Sequence, residues 1–135
     1  MTDNAMRLFC FGLGYSGRVL AERLCLEGWT ITGTARTVEG VAAIAASGWN
    51  GVLFDGARAS ADVRGALETV THALVSVPPD AAGDPVLRWH GAHIASAPRL
   101  AWIGYLSTVG VYGDHGGALV DETTPPAPAS ERGRR

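Results

Sequence analysis

The segment FCFGLGYSGRVLAERL sets Gly12, Gly14 and Gly17 between an apolar run and a helical pattern. Nothing else in the chain constrains its fold as much. Arg7 to Phe11 (RLFCF) reads as a short buried strand, and Tyr15 to Leu26 as a helix in which Val19, Leu20, Leu24 and Cys25 recur at helical intervals. A strand, a Gly-x-Gly-x-x-Gly turn and a helix form a phosphate cradle. Gly12 permits the tight turn, Gly14 lets the backbone approach a pyrophosphate, and Gly17 lets the helix lie close to the strand. The helix start at Tyr15 and Ser16 offers free N–H groups and a partial positive charge to the phosphates. The alternative is a glycine-rich turn of any α/β protein.

The rest of the chain continues the alternation. Gly28 stops the first helix. TITGTA (Thr30 to Ala35) is a second strand, Val38 to Ser47 a helix, and GVLF (Gly51 to Phe54) a third strand. Ser60 caps a helix to about Val70, ALVSV (Ala73 to Val77) is a fourth strand, and Asp84-Pro85 opens a helix to about Ala97. Leu100 to Leu106 is a fifth strand. Such alternation implies parallel pairing with right-handed crossovers. The expected fold is a Rossmann-type doubly wound α/β sheet in three αβα layers, order 3-2-1-4-5. Its ligand sits at the carboxyl ends of strands 1 and 4. Residues 1–135 read as one NAD(P)-binding domain. Within it, 118–135 form a Pro-rich loop and a helix that has only begun, which makes the architecture incomplete at its C-terminal end.

Composition narrows the partners. The chain has 135 residues and a net charge of −2, which gives no sign of nucleic acid. It has no apolar stretch long enough for a bilayer and no secretory leader pattern at its start, so a cytoplasmic setting is expected. Cys10 and Cys25 read as small buried apolar residues, and the four histidines have no zinc spacing, so no metal is expected. His90 and His93 share a helix face.

Cofactor choice is read at the end of the second strand. An NAD-selective cradle carries a carboxylate there for the ribose 2′-hydroxyl. This chain has Gly33-Thr34-Ala35-Arg36 instead. Arg36 offers a forked cation to a 2′-phosphate, with hydroxyls from Thr34 and Thr37, so NADP is preferred over NAD. A solvated Arg36 is the alternative. Asp55, after the third strand, is placed to accept from the adenine amine, or it is simply a turn former. Val77, Pro78 and Pro79 end the fourth strand as a rigid wall without N–H groups beside the cofactor.

The fifth strand runs into LSTVGVYGDHGG. Together with the glycine turn, this resembles the short-chain dehydrogenase/reductase superfamily. Within it the chain looks like the extended and atypical branches, the NAD-dependent epimerase/dehydratase-like proteins, and like their N-terminal nucleotide-binding part only. The resemblance implies that Thr108, four residues before Tyr112, bonds the substrate carbonyl or alcohol oxygen, with Ser107 as fallback and Tyr112 as a wall of the site. It also implies an acid–base Tyr-x-x-x-Lys on the next helix. Here the stretch is PASERGRR: Arg132 occupies the tyrosine position, and arginine moves no proton at neutral pH. Glu131 is a nearby carboxylate that can substitute.

Two functions stay open on this reading. One is an NADP-dependent oxidoreductase or epimerase acting on a carbonyl compound or nucleotide sugar. The other is a non-catalytic NADP-binding sensor or scaffold. An uncovered fifth strand also leads to an expectation of self-association, at its simplest a homodimer.

Overall fold

Alternation along the first strand decides where the two cores lie. In β1 (Arg7–Phe11), Phe9 and Phe11 point to one face of the sheet and Leu8 and Cys10 to the other, and all four are buried. A strand buried on both faces reads as a continuous apolar run, as RLFCF does. The structure is a computed structural model and describes residues 4–135.

The remaining elements follow in order. They are α1 (Tyr15–Leu26), β2 (Thr30–Ala35), α2 (Val38–Ala46), β3 (Asn50–Leu53) and α3 (Ala61–Leu67), then β4 (His72–Val75), α4 (Pro85–Ala95), β5 (Trp102–Tyr105) and α5 (Glu131–Arg134). The five strands pair parallel in the order β3-β2-β1-β4-β5. This is the doubly wound sheet expected from the sequence.

Each face is covered by its own helices. Ala21 of α1 and Ile44 of α2 pack with Leu8, Cys10, Ile31, Trp49 and Leu74. Val63 and Leu67 of α3 and Val86 of α4 pack with Phe9, Phe11, Phe54 and Val75. Burying each large side chain of this kind contributes about 1.5–3 kcal/mol. Thr37, Ser60 and Asp84 cap their helices through side-chain oxygens that accept from Gly40, Val63 and Leu87 N–H groups. Gly28 and Gly48 follow α1 and α2 with φ near +86° and +81°.

Several expectations change in detail. Cys25 is exposed, as are Val19 and Leu26, because α1 lies on the sheet through Gly17 and Ala21, with Leu20 and Leu24 half-buried beside them. Cys10 is buried, and burial pushes its thiol pKa up to about 12, so it stays protonated. The ladder of β4 stops at Val75, two residues short of the apolar run. Ser76 N–H still donates to Phe11 O at 2.9 Å, but the prolines beyond have no N–H to continue. An unforeseen 3-10 turn, Val109–Tyr112, follows β5.

Candidate functional site

At the switch point, the chain leaves β1 for α1 on one face and leaves β4 for α4 on the other. The turn between β1 and α1 is fastened from both neighbouring strands. Gly12 N–H donates to Thr34 Oγ1 of β2 at 2.8 Å. Ser76, just past β4, donates its hydroxyl to the Gly12 and Phe11 carbonyls. Gly12 has φ near +80°, and a Cβ there would press on Val77 at 3.1 Å, so the turn needs glycine on two counts. A Cβ on Gly14 would meet no protein atom within 4 Å, because it would project into open cleft. A Cβ on Gly17 would make ordinary contacts at 3.6 Å, so the third glycine is less demanding than its place in the motif suggests.

These residues border a cleft of about 1040 Å³. Gly12, Gly14, Tyr15, Ser16, Gly17, Arg36, Asp55, Val77, Pro78 and Pro79 all line it. The glycine turn thus forms its floor, the end of β2 and the loop after β3 one side, and the prolines after β4 the other. Size and concavity suit a dinucleotide-sized ligand. The N–H groups in the first turn of α1 have no intrahelical acceptor and face this space, which is the donor set a pyrophosphate needs.

Arg36 is exposed at the β2 end of the cleft, with no ion-pair partner among the described residues. The Thr34 and Thr37 hydroxyls do not accompany it freely. Thr34 is buried and accepts from Gly12, and Thr37 caps α2 at 3.1 Å from Gly40 N. A second cation, Arg18, was not evident from the sequence. It lines the cleft from α1, with its guanidinium 5.9 Å from the Trp49 ring centre and an Nη1–Ser47 Oγ distance of 3.5 Å. Its position directly after Gly17 was the available signal. Asp55 Oδ1 accepts from Ala57 N at 2.9 Å, which makes the carboxylate a turn former that still faces the cleft.

A second cavity of about 460 Å³ adjoins the first, with Ser76, Pro78, Pro79 and Leu106 common to both walls. Ser107 and Thr108 line it. Thr108 Oγ1 accepts from Gly110 N at 3.2 Å and caps the 3-10 turn, which leaves its hydroxyl proton for another acceptor. Tyr112 lines neither cavity, and its carbonyl is 2.8 Å from His115 Nε2. The structure therefore brings Ser107 and Thr108 together and leaves Tyr112 aside. Tyr105, also on this wall, lies against Asp84. Its phenol pKa is raised by burial and then by the Asp84 charge and hydrogen bond. The sequence pattern marked Tyr105 only as part of a strand.

No family model matches this chain, and no curated protein matches it. Solved structures do. A functionally unknown conserved protein from Silicibacter pomeroyi is 48% identical over 96% of this chain, with a TM-score of 0.79. A short-chain dehydrogenase/reductase superfamily protein from Agrobacterium tumefaciens with bound NAD is 19% identical over 95% of the chain, TM-score 0.67. Yeast methylglyoxal/isovaleraldehyde reductase complexed with NADPH is 15% identical over 81%, TM-score 0.67. The chain spans 45%, 41% and 40% of those three proteins in turn. Over less than half of their length, this chain has the fold of the short-chain dehydrogenase/reductase and epimerase structures.

Proposed function

We propose that this chain is the dinucleotide-binding part of an atypical short-chain dehydrogenase/reductase, and that it prefers NADP over NAD. The observation that carries the reading is the fastened glycine turn at the floor of the larger cleft, where the space above Gly14 is open and a Cβ would fill it. The first turn of α1 holds the pyrophosphate through backbone N–H groups. Arg36 reaches the ribose 2′-phosphate, and Arg18, braced over Trp49, adds a second positive charge on that side. Val77, Pro78 and Pro79 hold the flat wall, and Asp55 faces the adenine end. When bound, the cofactor supplies hydride chemistry at its nicotinamide ring. Thr108 donates its remaining hydroxyl proton to the substrate oxygen, with Ser107 beside it. The substrate expected there is a carbonyl compound or a nucleotide sugar.

A second reading is binding without turnover. Arg132 stands where the resemblance implies the acid–base tyrosine, and no tyrosine stands between Tyr112 and Arg135. Proton transfer in such chemistry contributes about 10²–10⁴-fold, so its loss leaves little rate. On this view the protein reports NADP(H) levels or holds a partner.

Titration of NADPH and NADH against the protein and its Arg36→Ala variant tests the cofactor assignment. A charge-assisted contact contributes about 1.5–3 kcal/mol. The expected result is NADPH bound roughly tenfold or more tighter, with the preference largely lost in the variant. Equal affinities in the unmodified protein would sink it. NADPH oxidation over aldehydes, ketones and nucleotide sugars separates the two readings, since turnover that vanishes in Thr108→Ala excludes the sensor.

A further inference from the structure

We propose that the smaller cavity is an anion-selecting substrate pocket, and that it takes a small carbonyl compound bearing a carboxylate or phosphate. The inference rests on the preceding reading only for what lies next door. The pocket's own charge carries the rest.

Three arginines, Arg132, Arg134 and Arg135, line this cavity together with Ser107 and Thr108. Arg132 and Arg134 belong to α5, which is seated tightly on the 3-10 turn, and Arg135 follows it directly. A Cβ at Gly133 would stand 3.1 Å from Gly110 O and 3.1 Å from Pro128 Cβ. Arg132 and Arg135 are three residues apart and so share a helix face. Arg135 is not a waving surface cation. Its side chain is only 27% exposed, and Glu131 braces it at 2.7 Å. Its charge also reaches Asp80 on the rim of the larger cleft. The Asp80 carboxyl is held below its usual range first by the Arg88 hydrogen bond, with Arg135 as a lesser contributor.

The carboxylates nearby are already engaged. Asp84, on the pocket wall, accepts from Leu87 N at 3.0 Å and lies close enough to raise the Tyr105 phenol pKa, after burial. Asp80 pairs with Arg88 at 2.6 Å. Arg132 and Arg134 have no ion-pair partner among the described residues. The cavity wall therefore carries an excess of positive charge beside two hydroxyl residues. A guanidinium fork matches a carboxylate or phosphate and cannot give up its proton. Arg132 in this wall thus offers anion binding and no proton transfer. A cavity of about 460 Å³ admits a small molecule of this class.

The test uses the protein saturated with NADPH. Calorimetric titration compares pyruvate with methyl pyruvate, and glyceraldehyde 3-phosphate with glyceraldehyde, so that the two anion types are read separately. The expected result is at least about tenfold tighter binding of one charged member than of its neutral counterpart. In Arg132→Gln/Arg135→Gln that preference should collapse while NADPH affinity is unchanged, and in Arg132→Lys/Arg135→Lys it should partly return. Equal binding of charged and neutral members would overturn the proposal, as would a preference that survives the glutamine variant. If NADPH itself fails to bind, the cofactor reading has failed on its own. Inorganic phosphate titrated into the cofactor-free protein and its glutamine variant then decides the pocket. An affinity that does not depend on the two arginines means an adventitious ion only, and overturns it.

Discussion

The centre of the sheet and its β5 margin are built from similar apolar sequence but end in different states. Around β1, Phe9, Phe11, Leu8 and Cys10 are sealed between helices on both faces, and the glycine turn above them is tied to β2 by Thr34 and to β4 by Ser76. At β5, Trp102, Ile103 and Tyr105 each remain close to half exposed. There the Trp102 ring lies over Gly104 and occupies the space a Cβ would need, and His72 packs against it with ring centres 6.1 Å apart. A parallel strand is normally covered on both sides, so β5 has the sequence of a buried strand and the exposure of an edge. The proposed nucleotide end is accordingly set by the fold itself, while the proposed substrate end, on β5 and α5, rests on fewer packed atoms.

The largest expected effect breaks the nucleotide end alone. Gly14→Val should leave the packing intact, since a Cβ there meets no protein atom within 4 Å, but it fills the space a pyrophosphate needs. Dinucleotide titration should show binding abolished while circular dichroism stays native. Undiminished affinity in the folded variant would make the turn purely structural.

The next effect measures the contrast in packing. Phe11→Ala removes a fully buried ring that lies 6.4 Å from both the Phe54 and His90 ring centres, and should cost about 3–5 kcal/mol in denaturant unfolding. Ile103→Ala, at a side chain 48% exposed, should cost about 1 kcal/mol. Similar losses at the two positions would mean that β5 is covered in solution, and light scattering would then show whether a second copy covers it.

The contrast also explains what the sequence could tell. The α/β alternation and the strand order were legible, as was the gathering of the ten expected cofactor residues around one cleft, because glycine spacing, turn chemistry and period-2 burial are local signals. What escaped depends on distant partners. Thr34 reads as a free hydroxyl, yet it is buried and its oxygen accepts from the N–H of Gly12, which is 22 residues away. Cys25 reads as core because it is apolar and near helical register, but small residues Gly17 and Ala21 set the buried face of α1. Tyr112 sits in a recognisable signature, yet the 3-10 turn carries it away from the cavity while Val111 lines it. The arginines of α5 were visible only as a basic stretch, since nothing local says which cavity they line.

The smallest effect is a pH dependence that joins the core to the nucleotide end. His90 of α4 is completely buried, with its ring 5.2 Å from that of Phe54. Ser60 N–H donates to its Nε2 at 3.1 Å, so that nitrogen is unprotonated. Nδ1 then carries the hydrogen and donates to His93 Nδ1, also at 3.1 Å. Burial and then the neighbouring His93 hold the His90 pKa below its ordinary 6.5. Besides His93 on its own helix, the groups packed on it are Phe11, Phe54 and a backbone N–H, none of which is charged. Protonation would aim a second donor at Ser60 and loosen the loop after β3, which Trp89 also holds through Gly56 O at 2.8 Å and which carries Asp55 into the cleft. The sign follows from proton counting. Below about pH 6.5 the unfolded chain takes up a proton that folded His90 refuses, so stability is full above that value and falls as pH drops toward the folded pKa. The slope is at most about 1.4 kcal/mol per pH unit. Asp80 and Asp121, whose carboxyls are held below 3.8 by hydrogen bonds from Arg88 and Thr123, act in a separate, lower window. His90→Gln keeps an acceptor for Ser60 without a titrating ring. Unfolding measured from pH 7.5 to 5 should decline in the unmodified protein and flatten in the variant, with dinucleotide affinity following the same course. An identical decline in both would place the acid sensitivity outside the α4 contact and leave the nucleotide end uncoupled from this part of the core.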